Sequence, residues 1–164
     1  MTVTQMQSQA LPPSVLGTHP LLRGLAGPRS SRLAGHAQAV VFPDRHRLFE
    51  EGQPASRFWL IEAGQVALDA IVPGHGRMVI ELLGRGEVVG LSWLLPPYRW
   101  GFGAITTQPV QAFEFDAQAI RAACQQDPAF GHEMTDRFLR VALCRLHDTR
   151  KRLLDVSAHP DLVP

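Results

Sequence analysis

One arginine among aromatic side chains is the feature of this chain most suited to chemistry. Arg99 stands between Tyr98 and Trp100, near the end of the run GEVVGLSWLLPPYRWGFGA at residues 86–104. The run also holds Trp93 and a Pro96-Pro97 pair. A guanidinium there can neutralise a phosphate or carboxylate through paired N–H donors. Backbone N–H groups at the start of a short helix can assist, because a helix start carries partial positive charge. Ser92 to Leu95 could form that helix, which Pro96 would end, since the residue before a proline avoids helical backbone. Gly90 and Leu91 precede it. The candidate ligand-binding residues are therefore Gly90, Leu91, Ser92, Trp93, Tyr98, Arg99 and Trp100. The same residues admit a second reading. Trp93, Leu94, Leu95 and Trp100 can plug the space as core, each aromatic burying about 150–250 Å². Arg99 can then stack on Trp100 or Tyr98, or pair with Glu87 or Glu81.

Other chemistries find no residues to carry them. No Ser-His-Asp or Cys-His arrangement, phosphate-cradling glycine loop or carboxylate pair is legible, so no enzyme is expected. The seven histidines are scattered and none falls at ligand spacing with Cys or an acid, so neither a metal site nor a cofactor is expected. Cys124 and Cys144 lie among apolar neighbours in helical segments, which reads as buried free thiols and a cytoplasmic protein. A composition 45% hydrophobic and 19% charged fits one globular domain with a substantial core. A net charge of +1 supplies no field to draw in DNA or a membrane. No secretory leader is expected, and no apolar run of the sequence approaches membrane-spanning length.

Several elements must position the loop. Residues 1–18 read as a flexible lead-in. Residues 19–126 read as a β-rich unit with flanking helices. It begins with short helical pieces broken at Gly27-Pro28, where Leu21, Leu22, Leu25, Leu33 and Ala37 cover one end of a core. From Val40 to Phe115 short apolar runs alternate with Gly, Pro and Asp at intervals that mark an antiparallel barrel or jelly roll. Glu62-Ala63-Gly64-Gln65 reads as a tight turn and Pro73-Gly74-His75-Gly76 as a hairpin tip. Leu68, Ala70 and Val72 alternate with Asp69 and Ile71, giving a strand with two usable faces. A helix capped by Asp116 ends near Gln126. Asp127 and Pro128 then start a long helix within 127–156, roughly 28 helical residues or about 42 Å at 1.5 Å per residue. It carries two apolar stripes. Phe130, Met134, Phe138 and Val141 would face the β unit. Leu139, Ala142, Leu146, Thr149, Leu153 and Val156 step in a heptad-like way and call for a second copy of the chain. The basic group Arg145, Arg150, Lys151 and Arg152 reads as a solvated face that complements the helix C-terminus. Residues 157–164 read as a tail too short for a DNA-reading helix pair.

A β-roll followed by a dimerising helix resembles the cyclic-nucleotide-binding domain of bacterial catabolite-activator-type regulators, in particular a free-standing subgroup without a helix-turn-helix. HRLFEEGQPASRFWLIEAGQVAL resembles the family's early strands, with Gly52 and Gly64 at its turn glycines. LLGRGEVVG resembles the approach to its phosphate-binding cassette, which Gly90 opens, and PVQAFEFDAQAIRAAC resembles its last strand and following helix. The resemblance implies a mainly β fold with flanking helices, a double-stranded β-helix or jelly-roll-like β-roll, then a long C-terminal dimerisation helix through Leu139, Ala142, Leu146 and Leu153. It implies a regulatory sensor that takes a small anionic or nucleotide-like ligand. The family's cassette has an acid directly after the glycine to hold the ribose hydroxyl, and an arginine followed by a hydroxyl to hold the cyclic phosphate. Here Leu91 replaces the acid, and Arg99 comes early with Trp100 where the hydroxyl belongs. Ordinary cyclic AMP binding is therefore not expected, and output is expected through a protein partner rather than DNA. The alternative is a ligand-free interaction dimer whose pocket is filled by aromatics.

Overall fold

Short strands broken by glycine and proline assemble into two antiparallel sheets. The computed structural model describes residues 4–5, 11–25 and 27–158. The first sheet is ordered β1 (Thr4–Gln5), β2 (Ala37–Phe42), β9 (Val110–Asp116), β4 (Arg57–Ala63) and β7 (Val88–Val89). The second is ordered β3 (Arg47–Phe49), β8 (Gly103–Thr106), β5 (Val66–Val72) and β6 (Gly76–Leu83). Among the described residues four α-helices, α1 (Pro13–Leu16), α2 (Pro28–Ala34), α3 (Ala117–Gln126) and α4 (Pro128–Ala158), flank the roll. This is the mainly β roll with a long last helix that the strand spacing implies.

Alternation along β4 divides the core. Phe58 and Trp59 are consecutive and so point to opposite faces of the first sheet. Phe58 stacks on Phe115 at 4.7 Å and meets Phe138 of α4 edge-on at 5.3 Å. Trp59 points between the sheets and stacks on Phe49 at 5.8 Å. The corner between β4 and β5 requires glycine. Gly64 has φ +90°, and a Cβ there would run into the backbone of Pro109 and Val110.

Several sequence expectations are revised. Thr4–Gln5 pairs with β2, and Pro13–Leu16 forms a helical turn whose Leu16 is 1% exposed, in place of part of the expected lead-in. Residues 1–3, 6–10 and 159–164, including most of the expected tail, lie outside the described residues. Ala37 is buried as expected but begins β2. Asp69, which alternates with Leu68 and Ala70 on β5, is 1% exposed, and Arg47 and Arg77 each donate to it at 2.7 Å. Cys144 is exposed and Cys124 only half-buried, since Cys144 falls on the edge of α4 rather than on its buried stripe.

Asp116 caps α3 by accepting from Ala119 N–H at 2.8 Å, and Asp127 caps α4 by accepting from Ala129 and Phe130 at 3.1 Å. The 31 residues of α4 span about 46 Å. Gly131 lets α4 press on α3, since a Cβ there would lie 2.8 Å from the Cys124 carbonyl oxygen. Phe130, Met134 and Phe138 are buried against the roll. Leu139, Leu146, Leu153 and Val156 of the second stripe are exposed, joined by Leu143 and Leu154.

Candidate ligand-binding site

The 90–100 loop leaves β7 through Gly90, whose φ of +94° belongs to the left-handed region that favours glycine. The glycine is required for a second reason. A Cβ there would sit 2.7 Å from Cη2 of Trp100, so the indole rests directly on the Gly90 backbone. Trp100 is 5% exposed and stacks on Phe49 at 3.8 Å between the sheets, with Trp59 at 6.3 Å.

The expected helix at Ser92–Leu95 does not form. Two turns take its place, closed by Leu94 N–H to Leu91 O at 3.2 Å and Tyr98 N–H to Leu95 O at 3.1 Å. Pro96 and Pro97 lack the N–H groups that would close helical bonds onto the carbonyls of Ser92 and Trp93. No helix start therefore faces the site. Trp93 is 2% exposed on the opposite face of the first sheet. It stacks on Phe58 at 4.6 Å and meets Phe138 edge-on at 5.1 Å. Its indole N–H finds no acceptor among the described residues. Trp93 is core between roll and α4 and does not line the cavity described below.

Arg99 also departs from expectation. Residues 98–100 run alongside residues 52–55. Ala55 N–H donates to Tyr98 O at 2.7 Å, Trp100 N–H to Gln53 O at 2.9 Å and Gly52 N–H to Trp100 O at 2.8 Å. This pairing carries the Arg99 side chain outward, where Nη1 donates to Gly52 O at 2.7 Å. It stacks on neither Trp100 nor Tyr98 and pairs with neither Glu87 nor Glu81. The cation over the Tyr98 ring is Arg121, at 4.3 Å, which also donates to Trp93 O at 3.0 Å.

A cavity of about 260 Å³ remains between this loop and α4. Gly90, Leu91, Ser92 and Trp100 line it, while Trp93, Tyr98 and Arg99 do not. Its apolar walls include Phe49, Leu68, Phe102 and Leu146. Its polar groups beyond Ser92 are Glu81, Arg145 and Thr149. Arg145 was read as part of a solvated face. It is instead half-buried, and its Nη2 donates to Val88 O. Burial holds its pKa below the usual arginine range, against the opposing influence of Glu81 and Glu87. Arg152, from the same expected face, lies 3.6 Å from Glu81. Helical spacing carried the missed signal, because Arg145 stands four residues beyond Val141 on the stripe that faces the roll.

A larger groove of about 560 Å³ lies on the other side of Arg145, floored by Leu21 and Val88 and walled by α4 from Glu133 to Asp148. His19 precedes Pro20 and Leu21, which line the groove. The imidazole is 1% exposed, its Nδ1 accepts from Leu21 N–H at 3.2 Å, and its Nε2 has no hydrogen-bond partner within 3.5 Å among the described residues. Burial pulls its pKa down to about 4, only partly offset by the Glu87 backbone. Arg137 of α4 locks the same segment by donating to Leu21 O at 2.7 Å and Arg23 O at 3.0 Å. Among the described residues no cluster of three or more His, Cys, Asp and Glu converges as a metal site, and no helix is long and apolar enough to cross a membrane.

Comparison with known proteins places these features. Residues 39–127 match the family model described as "Cyclic nucleotide-binding domain". A CRP-like cAMP-activated global transcriptional regulator of Mycobacterium tuberculosis is 26% identical over 142 residues, covering 87% of this chain and 62% of that protein. The chain thus spans less than two thirds of that relative. A cyclic nucleotide-binding domain from Methylobacillus flagellatus superposes with a TM-score of 0.74 at 18% identity, covering 92% of this chain and 82% of that one. The regulatory subunit of a cAMP-independent protein kinase A from Trypanosoma brucei superposes with a TM-score of 0.66 at 15% identity, covering 79% and 45%. At these identities the two structures are similar to this chain in fold alone.

Proposed function

Because the chain belongs to the cyclic nucleotide-binding domain family, we propose that it is a regulatory module reading a small ligand other than ordinary cyclic AMP in the cavity between Gly90 and α4. One observation carries this reading. Trp100 covers Gly90, while Arg99 is spent on the Gly52 carbonyl. A cyclic phosphate docked there would meet an indole where it needs a cation and a hydroxyl. Leu91 would leave a ribose hydroxyl unpaired. Each buried polar group left unpaired costs about 1–3 kcal/mol, roughly tenfold to a hundredfold in affinity. The fold itself does not demand cyclic AMP, since it also occurs in a kinase subunit described as cAMP-independent.

Leu146 and Thr149 line the cavity and belong to the exposed stripe of α4. A ligand seated there touches the face through which a second copy would pair. Leu139, Leu143, Leu146, Leu153 and Leu154, each at least 43% exposed, form that face. The module is a cytoplasmic homodimer in this reading, in keeping with its two free cysteines. Its output passes to a protein partner, because a net charge of +1 supplies little of the phosphate neutralisation that DNA binding needs.

The Phe49–Trp100–Trp59 stack favours a second reading, a ligand-free interaction dimer whose interior is already filled. A melting-temperature screen of nucleotides, nucleobases and small organic anions separates the two. The sensor reading expects a saturable rise with at least one compound, and its loss in Leu91→Trp, which fills the cavity. If no compound in the screen shifts the wild-type transition, the ligand-free dimer stands.

A further inference from the structure

Arg145 has one hydrogen-bond acceptor among the described residues, the Val88 carbonyl, and no ion pair with any acid. A guanidinium offers five N–H donors, and a half-buried one with a single neutral acceptor has unused capacity. Glu81 and Glu87 are the acids whose fields reach it. Both are otherwise engaged: Glu81 lies against Arg152 at 3.6 Å, and Glu87 accepts from Gly84 N–H at 2.7 Å. Desolvation of Arg145 outweighs the attraction of these two acids, of which Glu81 also lines the cavity.

The space beside this cation is small and largely apolar. Leu68, Leu91, Trp100, Phe102 and Leu146 supply the walls, and Ser92 and Thr149 are the hydroxyls in the same cavity. Its 260 Å³ exceeds the volume of about 150 Å³ that suffices to take up benzene in an apolar cavity. One aromatic ring with a short acidic arm fits that size. Arg99 lies outside this cavity, so the cation available to a ligand comes from the helix and not from the loop.

We propose that the ligand is a small aromatic or compact apolar monocarboxylate, with its carboxylate on the Arg145 guanidinium and its body against Trp100, Phe102 and Leu68. The proposal rests on the reading of this cavity as the ligand site, and the test separates the two. The full chain is titrated with benzoate, phenylacetate and indole-3-acetate, and in parallel with the amide of each. Melting temperature and tryptophan fluorescence are followed, since Trp100 lines the cavity.

At least one acid should bind saturably and about tenfold or more tightly than its amide, as a charge-assisted pair requires. Arg145→Met, which keeps an apolar side chain of similar reach, should erase the preference for acid over amide, and Arg99→Ala should keep it. If amides bind as tightly as acids, or if Arg145→Met retains the preference, the carboxylate proposal falls while the cavity still binds ligand. If neither acids nor amides bind but a compound of another class does in a Leu91-sensitive way, the proposal again falls alone. If nothing binds, both fall. The acid–amide comparison on the wild-type chain decides the matter even where a variant does not fold.

Discussion

Acid should weaken this fold through one histidine. In the unfolded chain the His19 imidazole takes up its proton near the ordinary value of 6.5, and in the fold not until about pH 4. Between those limits the unfolded chain holds more protons, so stability falls as pH drops below about 6.5 and levels off below about 4. Integrating between about pH 7.5 and about pH 5 gives a loss of about 2 kcal/mol from this group alone. For a chain of this size that corresponds to about 4–8 °C in the midpoint of thermal unfolding. Other groups titrate in the same window, so the quantity to read is a difference. His19→Asn keeps an acceptor for the Leu21 N–H, because asparagine is a good capping residue, but it carries no titrating proton. The variant should be less stable near neutral pH, and its midpoint should fall less on acidification than that of the wild type. Calorimetric scans of both proteins across the pH series measure the gap. Parallel pH profiles for the two would refute the claim that a buried neutral imidazole holds residues 19–23 beneath α4.

Three further outcomes are expected. Sedimentation should show the wild type as a dimer and the Leu139→Glu, Leu153→Glu double variant as a monomer; both leucines are more than half exposed and neither lines the cavity. Glu114→Leu should destabilise the fold by about 1–3 kcal/mol for each donor it strands, Trp59 Nε1 at 2.8 Å and Gln38 Nε2 at 2.5 Å, as urea unfolding would read. Gly90→Ala should cost about 1–2 kcal/mol for its left-handed backbone, plus the displacement of Trp100, and a double-mutant cycle with Trp100→Ala should recover the second part alone.

The sequence made the roll legible because its cues are local. Apolar runs end at glycines with positive φ such as Gly64 and Gly74, and Asp116 and Asp127 mark the two helix starts. The candidate site was legible to the extent that Gly90, Leu91, Ser92 and Trp100 line the cavity. It was not legible where distant segments decide. Arg99 points away because residues 98–100 pair with a loop 47 positions earlier in the chain. Trp93 and Trp100 lie in one short loop yet pack on opposite faces of the first sheet, through Phe58 and Trp59. Asp69 is buried only because Arg47 and Arg77 converge on it from two other strands. Arg145 is hidden in the sequence because charge on a helix usually faces water. Its spacing from Val141 placed it against the roll, where it meets the Val88 carbonyl.

Calorimetric titration of the full chain with cyclic AMP tests the central claim most directly. With Trp100 on Gly90 and Arg99 held by Gly52, millimolar cyclic AMP should give no saturable heat and no rise in melting temperature. Saturable micromolar binding that Arg99→Ala abolishes would contradict the account, because it would put the loop arginine back on a phosphate.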